Sequence, residues 1–290
     1  MAKASRRLPQ NAPGDFFVDD TCIDCDACRQ IAPGSFRDHG GQASVWRQPE
    51  SPDELRLAMM ALVACPTGSI GADRRHDRRL GTAAFPTAIA GEVFFCGFTS
   101  ESSFGAWSYL ILRSEERGGN VLVDSPRFAP PLVRRLEEVG GIRTLFLTHR
   151  DDVADHAKFA ARFGCRRVMH EADGAEKLGA ELVLHGEDAV ALDTDLTAIP
   201  TPGHTRGHTV LLYRNKFLFT GDHLAWSPVR RALTAHPDAC WYSWLEQIRS
   251  MKKLRDWRFE WILPGHGRIH QASTSQMRAE LDACIEAMGA

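Results

Sequence analysis

Two groups of residues in this 290-residue chain have types and spacing that could do chemistry. The first is cysteine. Cys22, Cys25 and Cys28 stand as C-x2-C-x2-C, and Cys65 is followed by Pro66. Three thiolates at that spacing can converge on neighbouring corners of a cuboidal cluster. The distant fourth closes the last corner, and the proline turns the chain away. This is the ligation pattern of bacterial iron–sulfur clusters. Four-cysteine zinc sites ordinarily use two separated C-x2-C pairs instead. Cys96, Cys165, Cys240 and Cys284 are scattered and read as packing residues.

The second group is histidine with aspartate. Four strings hold it: LTHRDDVADH (147–156), TPGHTRGH (201–208), LFTGDH (218–223) and ILPGHG (262–267). In order they offer His149, three aspartates with His156, then His204, Asp222 and His266. Each string includes or follows a short apolar run, so side chains from several strand ends could meet at one edge of a sheet pair. Glycines beside His204, Asp222 and His266 permit tight turns. Imidazole and carboxylate together suit zinc, iron or manganese. Within the first string, Asp152 precedes a helical pattern and reads as its N-cap, with Asp155 three residues on. His208 and His223 are expected to hydrogen-bond behind the ligands. His170 reads as structural, and His39, His76, His185, His236 and His270 have no supporting pattern.

These residues need elements to position them. From about residue 88, short apolar runs (EVFFC, YLILR, VLVD, TLFLT, RRVMH, AVALD, LTAIP, TVLLY, FLFTG, WILPG) alternate with the helical patterns PPLVRRLEEV, VADHAKFAARF, ACWYSWLEQIRSMKKL and TSQMRAELDACIEAM. Strand-rich blocks broken by helices predict a layered α/β domain. In the third helical pattern Trp241, Trp244, Leu245, Ile248 and Met251 recur at helical spacing and predict a core-facing stripe. The expected organisation is a cysteine domain over 15–72, a basic linker over 73–87 and the layered domain over 88–290. The linker's RRHDRR reads as a solvated connector. The first residues, MAKASRRLPQNAPGDF, carry no apolar export core and are expected to form a mobile tail of a cytoplasmic protein. A net charge of −2 points to neither nucleic acid nor a lipid surface. No apolar run approaches the roughly 18 residues of a membrane span.

The cysteine region resembles a single-cluster bacterial ferredoxin, through the four cysteines, Ala32-Pro33-x-x-Phe36 and Cys65-Pro66-x-x-x-Ile70. The resemblance implies an α+β ferredoxin-like domain with one [4Fe–4S] cluster carrying one electron. Residues 88–290 resemble the metallo-β-lactamase superfamily, in its broad hydrolase branch, through TPGHT, TGD and PGHG in that order. This resemblance implies an αββα sandwich with two divalent metals, zinc or iron. His149 and His204 match ligands of the first metal, Asp222 the carboxylate bridging both, and Asp155, His156 and His266 ligands of the second. The family's opening motif, H-x-H-x-D-H, is altered here to H-R-D-D-V-A-D-H. Keeping both His149 and Asp155-His156 requires an insertion, and Asp151 stands where the second histidine would be.

The leading expectation is a hydrolase of small molecules. Two metals would lower the pKa of bound water from near 16 to roughly 7, producing hydroxide for attack on an ester, thioester, amide or phosphodiester. Asp155 is the expected catalytic carboxylate, orienting the hydroxide or sharing its proton. The domain has near-minimal length, without the added C-terminal helical region of glyoxalase II, so a glutathione thioester is the less favoured substrate. One alternative is a di-iron oxidoreductase of oxygen or nitric oxide chemistry fed by the ferredoxin domain, for which the family offers H-x-E-x-D. Another is a redox-sensing regulator. A redox partner at the ferredoxin domain is a further expectation.

Overall fold

The computed structural model describes residues 2–289. By contact density the chain divides into two units, Met1–Leu110 with Pro126–Gly141, and Ile111–Ser125 with Ile142–Ala290.

The first unit opens with strand β1 (Phe16–Val18), helix α1 (Ala27–Ile31), strands β2 (Phe36–Asp38) and β3 (Ala43–Val45), helix α2 (Pro52–Ala64) and strand β4 (Ile70–Ala72). β1 pairs antiparallel with β4, and β2 with β3. Phe16, Val18, Phe36, Val45, Met59 and Ala61 form a core that takes in Cys28 and Cys65. α2 has strong local instructions. Ser51 accepts a bond from the Glu54 amide while the Glu54 carboxylate accepts from the Ser51 amide, with Pro52 at the first helical turn. The helix ends at Cys65, where the following proline favours extended backbone.

Two expectations for this unit change. The residues before β1 are tied down. The Asn11 side chain accepts from the Val18 and Val45 amides, and the buried Asp19 carboxylate accepts from the Lys3 amide. Buried backbone donors demand such partners, and the tail supplies them. Within 73–87, helix α3 (Arg79–Thr82) packs on α2 so closely that a Cβ at Gly81 would overlap the Met59 carbonyl. Strands β5 (Thr87–Ala90) and β6 (Val93–Phe95) form an antiparallel pair. β7 (Tyr109–Ile111) lies at the unit boundary, and helix α4 (Pro130–Glu138) belongs to the first unit.

The second unit carries two sheets. In one, β8 (Val121–Val123), β9 (Thr144–Phe146), β10 (Arg166–His170) and β11 (Leu182–Leu184) run parallel in that order. Helices α5 (His156–Phe163) and α6 (Ala175–Leu178) lie in its crossovers. β8 and β9 are buried at every residue, as a parallel sheet covered on both faces requires. The other sheet has the order β12 (Val190–Ala191), β13 (Leu196–Pro200), β14 (Thr209–Tyr213), β15 (Phe217–Gly221), β18 (Trp261–Pro264), β19 (His270–Gln271), with β15 and β18 parallel. A hairpin of β16 (Ala225–Ser227) and β17 (Ala232–Thr234) stands apart. Met251 of helix α7 (Trp244–Lys253) and Met277, Leu281 and Ile285 of helix α8 (Thr274–Ala287) pack on Val210, Leu212, Leu218 and Ile262. The result is an αββα sandwich.

The stripe expected from Trp241 to Met251 is only half realised. Ile248 and Met251 are buried, but Trp241 is 63% and Leu245 68% exposed. The amides of Trp241 and Tyr242 bond the His204 carbonyl, and that of Ser243 bonds the Gly203 carbonyl. The chain is held against the TPGH loop there, so the helix starts only at Trp244, capped by Ser243. Among the described residues no helix is long and apolar enough to cross a membrane.

The capping box starts the helix that ends at Cys65. Ser51→Ala should cost about 1 kcal/mol, read as a lower denaturation midpoint of the full-length protein. An unchanged midpoint would show that tertiary contacts alone hold the helix.

Candidate metal and iron–sulfur centres

The cysteines are gathered by an unusual backbone. Asp24 and Asp26 both have left-handed φ, 60° and 65°. Aspartate tolerates this conformation better than most residues. Alternating it through the loop turns Cys22, Cys25 and Cys28 inward, where with Cys65 they line one cavity. Backbone donors reach the sulfurs, the Ala43 amide to Cys22 Sγ at 3.4 Å and the Ser69 amide to Cys65 Sγ at 3.3 Å. Burial, with the neighbouring cysteines, pushes the Cys25 thiol up to about 12 and Cys28 well above its usual range. Four converging sulfurs fit a cationic iron core, whose charge would hold them as thiolates. All eight cysteines are free of disulfides.

The histidine–aspartate residues converge in the second unit, at the ends of β9, β13, β15 and β18. Asp222, just past β15, is the centre. Its Oδ2 lies 3.7 Å from His149 Nε2, 3.7 Å from His204 Nε2 and 3.8 Å from His266 Nε2. His149, His204 and Asp222 each turn a donor atom to within 4.8 Å of the others, and so do Asp152, Asp222 and His266. The two donor groups share Asp222. His149 Nε2, Asp152 Oδ2 and Asp222 Oδ1 are buried without a hydrogen-bond partner. Orphaned buried donors and acceptors are rare, and an ion is one ordinary explanation. Gly265 is required here, since a Cβ would lie 2.7 Å from Asp152 Oδ2 and 2.8 Å from Asp222 Oδ1. These residues fit a pair of divalent metals.

Asp151, expected in place of a histidine, puts Oδ2 at 3.4 Å from His204 Nε2, and its side chain is 44% exposed. It belongs at the mouth of the first donor group. Asp152 overturns its expected role. Helix α5 begins at His156, with Asp155 in the capping position but making no side-chain cap bond. The Asp152 side chain instead turns into the cleft, where it is 1% exposed. Asp155 and His156 do not join the cluster. Asp155 Oδ1 pairs with Lys158 at 2.7 Å, and His156 Nδ1 lies 3.3 Å from Arg167. The string reaches the second donor group through Asp152, four residues earlier than the family motif implied for His156.

Three polar supports fix the cluster. His149 Nδ1 donates to Thr148 Oγ1 at 2.9 Å, and that hydroxyl donates to buried Asp124. His204 Nδ1 donates to the Ala239 carbonyl at 2.6 Å. Each bond leaves the Nε2 lone pair facing Asp222. His208, expected behind the ligands, accepts the Asp222 amide on Nε2 at 3.3 Å and bonds Thr201 through Nδ1. His223 is buried, and burial presses its pKa down to about 3, so it stays neutral. His170 is structural, bonding the Gly186 carbonyl and the Ala172 amide. Asp173 had no signal in the sequence beyond its place in EAD. It is buried and accepts from Thr205 Oγ1, the Gly207 amide and the Arg150 amide, pinning the two ligand loops together.

Burial and neighbouring charges displace the acidities of the cleft's carboxyls. Burial, reinforced by Asp222, Asp124 and Asp151, raises Asp152 well above the carboxylate range. Burial also pushes Asp124 up to about 8. For Asp222 burial works upward, but His266, His149 and His204 outweigh it and hold the group low. Burial lowers the His149 pKa, against the opposing pull of Asp222.

An αββα sandwich with a His/Asp cleft at its strand ends, joined to a cysteine-cradled domain, defines an iron–sulfur protein with a second, metal-binding centre. The chain belongs to the metallo-β-lactamase superfamily, whose family model matches residues 104–266. Residues 18–72 match the 4Fe-4S single cluster domain of Ferredoxin I. Hydroxyacylglutathione hydrolase of Salmonella paratyphi C (strain RKS4594) is 30% identical over 146 residues, 50% of this chain and 57% of the relative. The chain thus spans little more than half the length of such relatives. Among solved structures, the metallo-β-lactamase of Hirschia baltica superposes with TM-score 0.53 at 16% identity, covering 70% of this chain and 96% of that one. That of Pontibacter korlensis gives 0.51 at 17%, covering 70% and 97%. Both likenesses concern the fold.

The two aspartates of the altered motif separate in a metal titration. Asp152→Ala should lose about one metal per chain, whereas Asp155→Ala should keep the full complement. The reverse pattern would restore the inserted-motif alignment. Asp124→Ala removes the anchor of the Thr148–His149 pair and should weaken metal affinity about 10- to 100-fold, measured by chelator competition. An unaltered affinity would mean that the strand backbone alone orients His149.

Proposed function

We propose that the chain is a metal-dependent hydrolase of small acyl substrates, carrying a ferredoxin domain. The observation supporting this most is the pair of donor groups meeting on Asp222. His149, Asp151 and His204 would hold one metal, Asp152 and His266 the other, and Asp222 both. Bound metals would supply Lewis acidity and acidify water for attack on a carbonyl. The chain's own residues do the rest. His149 and His204 are kept in one tautomer by Thr148 and Ala239. The role expected of Asp155 passes to Asp151, the carboxylate most open to solvent, which can position incoming water or accept its proton. Exposed Trp241 lies with its ring centroid 6.1 Å from that of His204 and offers an apolar wall to an acyl group. The likeness to hydroxyacylglutathione hydrolases supports thioesters as the first substrate class to test.

A second reading, a di-iron oxidoreductase fed by the cluster, is favoured by one observation. Three of the six gathered residues, Asp151, Asp152 and Asp222, are carboxylates, an oxygen-rich set that iron accepts well.

One experiment separates the two. The protein is purified anaerobically, its metals are counted, and acyl-thioester hydrolysis is followed with the cluster oxidised and reduced. Hydrolysis that is abolished in Asp222→Asn and indifferent to cluster state supports the hydrolase. Oxygen consumption in step with cluster oxidation, with no hydrolysis, would replace it with the oxidoreductase.

A further inference from the structure

The basic stretch between cysteine cradle and sandwich, taken from sequence as a solvated connector, borders a groove of about 710 Å³ in the first unit. Arg74, Arg75, Arg78 and Arg127 line it together with His76, and no acidic side chain does. Its floor is apolar, from Met59, Leu62 and Phe98, and it reaches the cluster ligand Cys65. Arg127 is fixed in place, donating from Nη2 to the Val63 carbonyl at 3.0 Å at the end of α2. Asp15 lies beside the groove, pairing with its His76 at 2.6 Å and accepting from the Arg74 amide, whereas Asp73 holds Arg7 at 2.6 Å and Asp77 holds Arg79 at 2.9 Å. Arg74, Arg75 and Arg78 are exposed. The groove therefore presents a predominantly basic lining beside Cys65.

We propose that this groove is the docking surface of a small acidic one-electron carrier protein, one bearing a flavin or an iron–sulfur centre. The partner is chosen by charge. An acidic rim is attracted by the four arginines, and an apolar patch around its redox centre meets the floor. Docking there sets the carrier's centre against Cys65. The carrier is oxidised by one electron, the cluster is reduced by one, and no bond or proton changes place. Complementary charge of this kind acts mainly on the rate of encounter and is screened by salt. The inference needs the cluster but neither reading of the histidine–aspartate site.

The test is anaerobic stopped-flow reduction of the full-length, cluster-loaded protein by a pre-reduced acidic plant-type ferredoxin, across ionic strength. Reduced methyl viologen, a small cation, serves as the control. The acidic carrier should reduce the wild type with a rate constant falling steeply as salt rises. Arg74→Glu/Arg75→Glu should slow it about tenfold at low salt, and Arg78→Glu should slow it as well. The difference should vanish near 0.5 M salt, where the screening length is only a few ångströms. Reduction by methyl viologen should not slow in either variant. The proposal is overturned if charge reversal leaves the carrier's rate unchanged. It is also overturned if the acidic carrier is no faster than a basic one, or if both reductants slow together, which would mark a damaged cluster.

Discussion

Asp222 is a carboxylate buried among three imidazoles and a second carboxylate, and most of the second unit can be read as what that placement requires. Burying a charge costs several kcal/mol unless partners surround it. The partners here come from three strand ends far apart in sequence, and a pair of packed sheets brings them to the end of β15. Asp222 follows β15 through Gly221, whose left-handed φ of 47° lets the backbone approach closely. A Cβ there would lie 2.6 Å from Thr148 Oγ1 and 2.8 Å from His208 Nε2. Thr148 and His208 are the supports of His149 and of Asp222 itself, so one turn without a side chain seats both.

The parts of the site carried by local strings were legible in the sequence, and the parts decided by direction were not. TPGH, TGD and PGH each place their residue one to four positions past a strand, where the turn leaves little choice of orientation. His204, Asp222 and His266 accordingly meet. In LTHRDDVADH the chain leaves β9 through an irregular turn, and three aspartates within five residues offer several solutions. Helical periodicity suggested a cap at Asp152, and the family motif suggested ligands at Asp155 and His156. Neither signal contains the cost of leaving Asp222 and His266 without a third donor. Once Asp152 faces inward, Asp155 becomes the residue before the helix and pairs with solvent-exposed Lys158. Asp173 was invisible for a related reason. Its three hydrogen bonds join segments 23 to 34 residues away, and no local pattern marks it.

The fold divides in the same manner. The alternating apolar runs announced the sheets, because burial on both faces leaves a signature in every residue of β8, β9, β14 and β15. The cysteine spacing announced its cradle, because thiolate ligation constrains sequence separation directly. The ends of elements were less legible. α7 starts three residues later than its apolar stripe, because the Trp241 and Tyr242 amides are spent on the His204 carbonyl. That detour has a purpose. The same segment supplies the Ala239 carbonyl that fixes the His204 tautomer, so Trp241 is exposed as a consequence of holding a ligand.

The replacement of an imidazole by Asp151 changes more than one ligand. With Asp152 and Asp222 it gives the cleft three carboxylates, and Asp124 stands behind them as a fourth. The histidines offset this only in part, since burial lowers His149, His208 and His223, whereas Asp151 and Asp222 raise His204 against its own burial. Burial, with the neighbouring carboxylates, raises Asp152 well above the carboxylate range and Asp124 to about 8, which favours protons on these two carboxyls. A divalent ion removes the reason for those protons, so metal uptake must release them, and affinity must rise with pH. A more anionic cleft also shifts preference toward harder, more oxophilic ions than an all-histidine first site would select. Under the proposed reading, the altered motif would act on the choice of metal, and through that choice on whether the centre suits hydrolysis or electron-consuming chemistry. A cluster domain on the same chain gives that choice a consequence.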